Sequence, residues 1–285
     1  MRAMLKMIWS LLLFALVAYA VIMVGLFFLQ RQMIYGPDRR DFTLTMPSGP
    51  GYQVVETETA DGLKLRHLWA APEHSDTPVF LVFHGNAGNV SHRPGKFAFL
   101  SDSGVGLLLT EYRGFGGNPG SPDEKGLYAD GRSVLGWLAD EGIPPGRIVL
   151  YGESLGSGVA TKMAAELSAQ GTPPLALVLE APFTSVPAVA QRRFWWLPAA
   201  WLTLDRFDNL SRIADIDTEI LILHGTADRV VPYDMGVALA DAAGQRARFL
   251  SLEGAGHIEL LDFDEVKTAL LNLAKTDSPA LPASD

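Results

Sequence analysis

The sequence predicts a doubly wound α/β fold: a mostly parallel sheet, a short helical lid and one amino-terminal transmembrane helix. Three observations carry that prediction. Short apolar runs alternate with longer helical patterns through most of the chain, as buried parallel strands with crossover helices do. The first two strand patterns are joined instead at Asp61-Gly62, a turn pair that closes an antiparallel hairpin. The stretches bearing glycine, serine, aspartate and histidine fall just after strand patterns, where such sheets build their sites.

The chain begins with an apolar run. Residues 1–6 are a flank carrying Arg2 and Lys6, and Met7 to Leu29 contains no charged residue. Those residues rise about 34 Å as a helix, enough to cross a bilayer with some tilt. Ala18-Tyr19-Ala20 resembles a signal-peptidase site, but the apolar run continues through Leu29, which favours an uncleaved anchor. A buried globular helix would need a polar face. Positive charges nearly balance across the span, so the positive-inside rule barely discriminates. The short basic start favours a catalytic domain on the extracytoplasmic side.

Residues 30–51 read as a linker with Pro37, Pro47 and Pro50, and residues 52–275 as the catalytic domain. Tyr52–Thr59 and Leu63–Ala70 form the hairpin. Val79–Phe83 is a buried strand ending in His84-Gly85-Asn86, and Gly106–Glu111 is the next. A helix over Asp123–Ala139 follows. Ile148–Tyr151 is then a strand leading into Gly152-Glu153-Ser154-Leu155-Gly156 and a helix to Leu167. Strands at Leu175–Glu180, Ile220–Leu223 and Ala247–Leu252 come later, with helices at Tyr233–Ala243 and Glu259–Ala274. Thr276–Asp285 reads as a disordered tail.

A net charge of −9 and a pI near 5.1 argue against nucleic acid, since no basic stripe is present to meet phosphates. With no cysteine, disulfides, thiolate metal sites and cysteine nucleophiles are excluded. No metal or organic cofactor is required by the motifs, and the oligomeric state is left open.

Gly152-x-Ser154-x-Gly156 between a strand and a helix reads as a nucleophile held on a sharp turn at the tip of the sheet. A serine hydroxyl needs a base, and the base needs an acid to fix its tautomer. The chain order Ser154, Asp228, His257 suits this architecture. His257 lies in a glycine-rich loop after the last strand pattern, and Asp228 in the loop after Leu223. Glu180 is the alternative acid. The oxyanion donors are expected to be the backbone N–H groups of Leu155 and Asn86.

The segments His84-Gly85-Asn86-Ala87-Gly88-Asn89, Tyr112-Arg113-Gly114-Phe115-Gly116, Gly152 to Gly156, Ala181-Pro182-Phe183-Thr184-Ser185, Arg206-Phe207-Asp208-Asn209-Leu210 and His224-Gly225-Thr226-Ala227-Asp228 carry a family resemblance. Together they resemble the α/β-hydrolases, in particular the membrane-anchored α/β-hydrolase-domain-containing proteins that are also grouped with serine-aminopeptidase-like hydrolases. The resemblance implies Ser154, Asp228 and His257 as the triad. Glu111 departs from it, standing where an aspartate is usual. The family includes esterases, acyl-thioesterases and lysophospholipid hydrolases, so the resemblance implies a reaction class and not a substrate.

About 40 residues separate the strand ending at Glu180 from the next, far beyond a usual connection. This insert, the lid at about 182–215, holds Phe194, Trp195, Trp196 and Trp201. They read either as aromatics packed on the sheet or as a greasy rim for acyl chains at the bilayer surface. Three functions follow: a membrane-anchored hydrolase of carboxylic esters or thioesters of lipid-like acyl groups, a peptidase on the same triad, or a non-catalytic interaction module. The peptidase needs an acid to hold the substrate's amine, and the lid offers Asp205, Asp208 and Asp215.

Overall fold

In the strands, successive side chains point to opposite faces, and both faces are filled. Val79, Leu81 and Phe83 pack in one apolar cluster while Phe80 and Val82 pack in another; Ile148 and Leu150 divide from Val149 and Tyr151 in the same way. A strand buried on both sides needs helices on both faces. A computed structural model describing residues 1–44 and 51–275 shows that arrangement.

The chain starts with α1 (Arg2–Ile34). The hairpin is β1 (Gln53–Glu58) and β2 (Lys64–Ala70), followed by β3 (Val79–Phe83), the short α2 (Ala98–Ser101), β4 (Gly106–Leu109) and α3 (Glu124–Asp140). Then come β5 (Ile148–Glu153), α4 (Leu155–Ala169) and β6 (Ala176–Glu180). The lid holds α5 (Val186–Arg193) and α6 (Ala199–Leu202), and α7 (Leu210–Ile213) leads out of it. β7 (Glu219–Gly225), α8 (Tyr233–Ala243), β8 (Ala247–Leu252) and α9 (Asp264–Leu273) complete the fold. The sheet runs β8-β7-β6-β5-β3-β4-β2-β1. Strands β3 to β8 are mutually parallel, β1 pairs antiparallel with β2, and β2 antiparallel with β4.

Local signals explain most boundaries. Gly62 turns the hairpin at φ 81°. Asp123 caps α3 by accepting from the Gly126 N–H at 2.7 Å, which stabilises a helix start by about 1 kcal/mol.

Three details go beyond the sequence pattern. The apolar helix is longer than Met7–Leu29 and ends at Ile34. Within the expected linker, Gly36 and Pro37 pair in parallel with Ala87 and Gly88. The last helix starts at Asp264, not Glu259, since Leu260–Asp262 form a separate 3-10 turn and the Glu259 carboxylate accepts from the Gly256 N–H at 3.1 Å. The expected disordered tail lies outside the described residues.

Gly156 lets α4 lie directly against the end of β3. A Cβ there would sit 2.0 Å from the Phe83 carbonyl oxygen, a backbone atom that cannot rotate away. Gly156→Ala is therefore expected to lower the thermal midpoint by more than an ordinary surface substitution, or to prevent soluble folding. An unchanged midpoint would show that the elbow can open.

Candidate active site

Ser154 sits between β5 and α4 with φ 49° and ψ −112°, left-handed backbone that a side chain adopts at a cost of about 1–3 kcal/mol. The elbow is held open by the lack of side chains around it. A Cβ on Gly152 would lie 2.6 Å from the Gly156 carbonyl oxygen, and one on Gly85 would lie 3.6 Å from the Ser154 Cβ. The Ser154 N–H donates to the Glu180 carbonyl at 2.8 Å, tying the turn to the end of β6.

The loops after β7 and β8 meet over this serine. His257 Nε2 lies 3.0 Å from Ser154 Oγ, and His257 Nδ1 lies 2.7 Å from Asp228 Oδ2. Thus the structure brings together the three residues expected from chain order. Gly225 permits this crossing, since a Cβ there would meet the Ala255 carbonyl oxygen at 2.3 Å. The Ala227 N–H in turn donates to that same carbonyl at 3.0 Å.

The Asp228 side chain is fully enclosed. Its Oδ1 accepts from the Val230 and Val231 N–H groups at 2.7 and 2.9 Å. Burial by itself would raise this carboxyl; hydrogen bonds from His224 and His257 outweigh it and hold the group well below the usual carboxylate range. An ionised Asp228 accepts a hydrogen bond from the Nδ1–H of His257, leaving Nε2 to accept from Ser154. His224, near the end of β7, is not part of the expected triad. It lies 3.4 Å from Asp228 Oδ2 and 3.1 Å from the Val231 carbonyl, so it braces the acid from behind.

Glu180, the alternative acid, is committed elsewhere. Its carboxylate accepts from Lys96 Nζ at 2.7 and 2.9 Å and from the Tyr151 hydroxyl at 2.6 Å. Lys96 also reaches Glu153 at 3.0 Å, and Arg93 lies 3.3 Å from the same carboxylate. Burial would raise Glu153, but Lys96 and Arg93 hold it low. Burial keeps Glu180 raised despite Lys96.

Leu155 opens α4 beside the serine, and Asn86 follows Gly85; both line one cavity with Ser154. The loop bearing Asn86 is braced at several points. His84 Nε2 lies 2.9 Å from Glu111 Oε1, Glu111 Oε2 accepts from the Val90 N–H at 2.7 Å, and the Tyr112 hydroxyl donates to the His84 carbonyl at 3.0 Å. The Asn86 amide donates to the Ile34 carbonyl at the end of α1, at 2.9 Å. That contact has no counterpart in the sequence pattern.

The cavity measures about 280 Å³. Beyond Ser154 it is walled by lid residues such as Val186, Phe194 and Leu197, and on another side by Leu26, Phe27 and Ile34 of α1. Of the four lid aromatics expected to contact substrate, Phe194 lines this cavity. Trp195, Trp196 and Trp201 do not; they stand on the outer surface, Trp195 80% and Trp201 90% exposed. They are a rim rather than a lining, because the short helices α5 and α6 turn their smaller apolar residues inward.

A family model described as "alpha/beta hydrolase fold" matches residues 78–210. The uncharacterized protein Rv2307c of Mycobacterium tuberculosis is 39% identical over 253 residues, covering 87% of this chain and 88% of that protein. The chain belongs to the alpha/beta hydrolase family. This hydrolase is also 37% identical over 186 residues to the lysophosphatidylserine lipase ABHD12 of Danio rerio, covering 60% of this chain and 48% of that one. It thus spans about half the length of the ABHD12 relatives. The Pyrococcus furiosus esterase Pf2001 superposes with a TM-score of 0.64 at 20% identity, over 84% of this hydrolase and 96% of the esterase. That likeness establishes the fold. By family the hydrolase is a serine hydrolase of the esterase-like kind.

Two outcomes test this geometry. Lys96→Met would leave two enclosed carboxylates without their shared cation and is expected to cost about 3–5 kcal/mol in denaturant unfolding; a loss under about 1 kcal/mol would show the cluster to be well solvated. Asp228→Asn should lower kcat about 10⁴-fold by releasing the imidazole tautomer. The depressed carboxyl of Asp228 adds stability above ~3.9, the unfolded value, and that stability is lost as pH falls toward the lower folded value. The Asp228→Asn variant should therefore unfold at a lower temperature than the wild type at pH 7, with the gap narrowing below pH ~4.

Proposed function

We propose that this chain is a membrane-anchored lipid ester hydrolase that works through an acyl-enzyme on Ser154. One observation carries the reading: the hydrogen-bonded series Ser154–His257–Asp228 opens into an apolar cavity bordered by the amino-terminal helix. The helix spans 33 residues with a mean hydropathy of 2.8 in its most apolar window, and its length of roughly 50 Å exceeds a bilayer core of about 30 Å. In this reading it is a single-pass anchor, and the basic start at Arg2 and Lys6 puts the domain on the extracytoplasmic side. The lysophosphatidylserine lipase activity in the name of the ABHD12 relatives supports a lipid carboxylic ester as substrate.

The chemistry follows from the placement of the groups. Ser154 Oγ attacks the ester carbonyl carbon as its proton passes to His257 Nε2. The resulting oxyanion meets the N–H groups of Leu155 and Asn86. Collapse breaks the bond to the alcohol, which leaves with the proton from His257. Water, deprotonated by the same imidazole, then cleaves the acyl-enzyme. Asp228 stabilises the imidazolium throughout. A thioester would follow the same path with a thiol leaving group.

The peptidase alternative lacks a carboxylate to hold an amine. Among the described residues, Asp205 is bound to Arg31 and Asp208 accepts from the Ser211 N–H, and none of Asp205, Asp208 and Asp215 lines the cavity.

A fluorophosphonate probe should label the full-length protein in detergent. Ser154→Ala should remove labelling and reduce hydrolysis of a lysophospholipid ester by on the order of a millionfold. Labelling that survives this substitution refutes the assignment.

A further inference from the structure

A membrane anchor that only tethers its domain has no reason to touch the active site, yet α1 touches it along several turns. Residues 1–17 are uniformly exposed, whereas the helix becomes partly covered at 18, 23, 25–27, 30 and 34. Of these, 23, 26, 27, 30 and 34 recur at helical spacing and mark one face. That face is bonded to the lid. The Tyr19 hydroxyl donates to the Trp196 carbonyl at 3.1 Å. The Gln30 amide donates to the Leu202 carbonyl at 3.1 Å and its Oε1 accepts from the Leu204 N–H at 2.8 Å. Arg31 makes two hydrogen bonds to Asp205, at 3.0 and 3.2 Å. Beside these fixed points, Leu26, Phe27 and Met33 line the cavity that contains Ser154.

The opposite face of the same turns stays apolar and exposed, through Val21, Val24, Phe28 and Leu29. Over this stretch the helix has the cavity on one side and a lipid-compatible surface on the other. From Ile34, whose carbonyl holds Asn86, back to Leu26 the helix rises about 12 Å, the length of a medium-chain acyl group. Trp195 and Trp201 stand exposed on the lid beside it, the residue type that settles at a bilayer surface.

Resting on the hydrolase reading above, we infer that the second half of the membrane helix is a wall of the acyl-binding site, with Leu26 and Phe27 setting the acyl chain length accepted. The acyl group of a bilayer lipid then passes from the membrane into the cavity along α1 without crossing water. The anchor is a specificity element of the enzyme as well as its attachment.

The test uses the full chain in detergent micelles, with 4-nitrophenyl esters from acetate to hexadecanoate, and reads the ratio of kcat/KM for dodecanoate over acetate. Phe27→Trp and Leu26→Trp, which fill the cavity, should each lower that ratio at least about tenfold, as lost chain space in an apolar pocket does. Phe27→Ala, which cannot overfill the site, should raise hexadecanoate relative to dodecanoate. Val21→Trp, on the outer face, should leave the ratio as in the wild type. Ratios unchanged in all three cavity variants, or lowered equally by Val21→Trp, overturn the inference. Fluorophosphonate labelling in parallel separates the two readings. A labelled protein with an insensitive ratio removes the acyl wall and leaves the hydrolase; an unlabelled wild type removes the hydrolase and the wall with it.

Discussion

The left-handed backbone at Ser154 is the constraint around which the molecule is assembled. A serine at φ 49° is unfavourable by itself and persists because its surroundings leave it no alternative. The Glu180 carbonyl holds its N–H. Gly156 places α4 in backbone contact with the end of β3, and Gly85 brings the Asn86 loop to the serine from the other side. Three strand ends thereby converge on one hydroxyl. The Asn86 loop, the helix terminus and the cavity all take their positions from that convergence.

Around the elbow the polar groups are arranged in layers with different tasks. The layer in contact with the serine is His257 and Asp228. Behind it, His224 and the N–H groups of Val230 and Val231 saturate the acid, so its charge is fixed before substrate arrives. Glu153, next to the nucleophile in sequence, is tied with Glu180 to the shared cation Lys96. Such a group is costly to desolvate and costly to disrupt. It makes the nucleophile strand and its neighbour β6 hard to displace relative to α2 and the segment before it.

The long apolar helix and the shape of the site are joined in one element. α1 closes a side of the cavity, its last carbonyl holds the Asn86 side chain, and Gly36 and Pro37 then pair with the loop that follows Asn86. The helix is therefore in contact with both the cavity and the Asn86 loop beside Ser154.

Local patterning in the sequence determined the strands, the Asp61-Gly62 hairpin, the nucleophile turn and the order of Ser154, Asp228 and His257. Each depends on the periodicity of a few neighbouring side chains or on the backbone freedom of glycine at one point. Their legibility owes much to β3 and β5 being buried on both faces, which leaves an unbroken apolar run. Tertiary structure decided the rest. That Glu180 serves Lys96 and Tyr151 rather than His257 depends on which face of β6 its side chain meets. That Trp195, Trp196 and Trp201 stand outside while Phe194 lines the cavity depends on how the lid helices roll. The docking of α1 joins Gln30 to Leu202 and Arg31 to Asp205 across more than 170 positions. No local pattern encodes such a contact, because an apolar helix reads the same whether lipid or a lid covers its face. The distinction arises when the chain's path brings the two surfaces together.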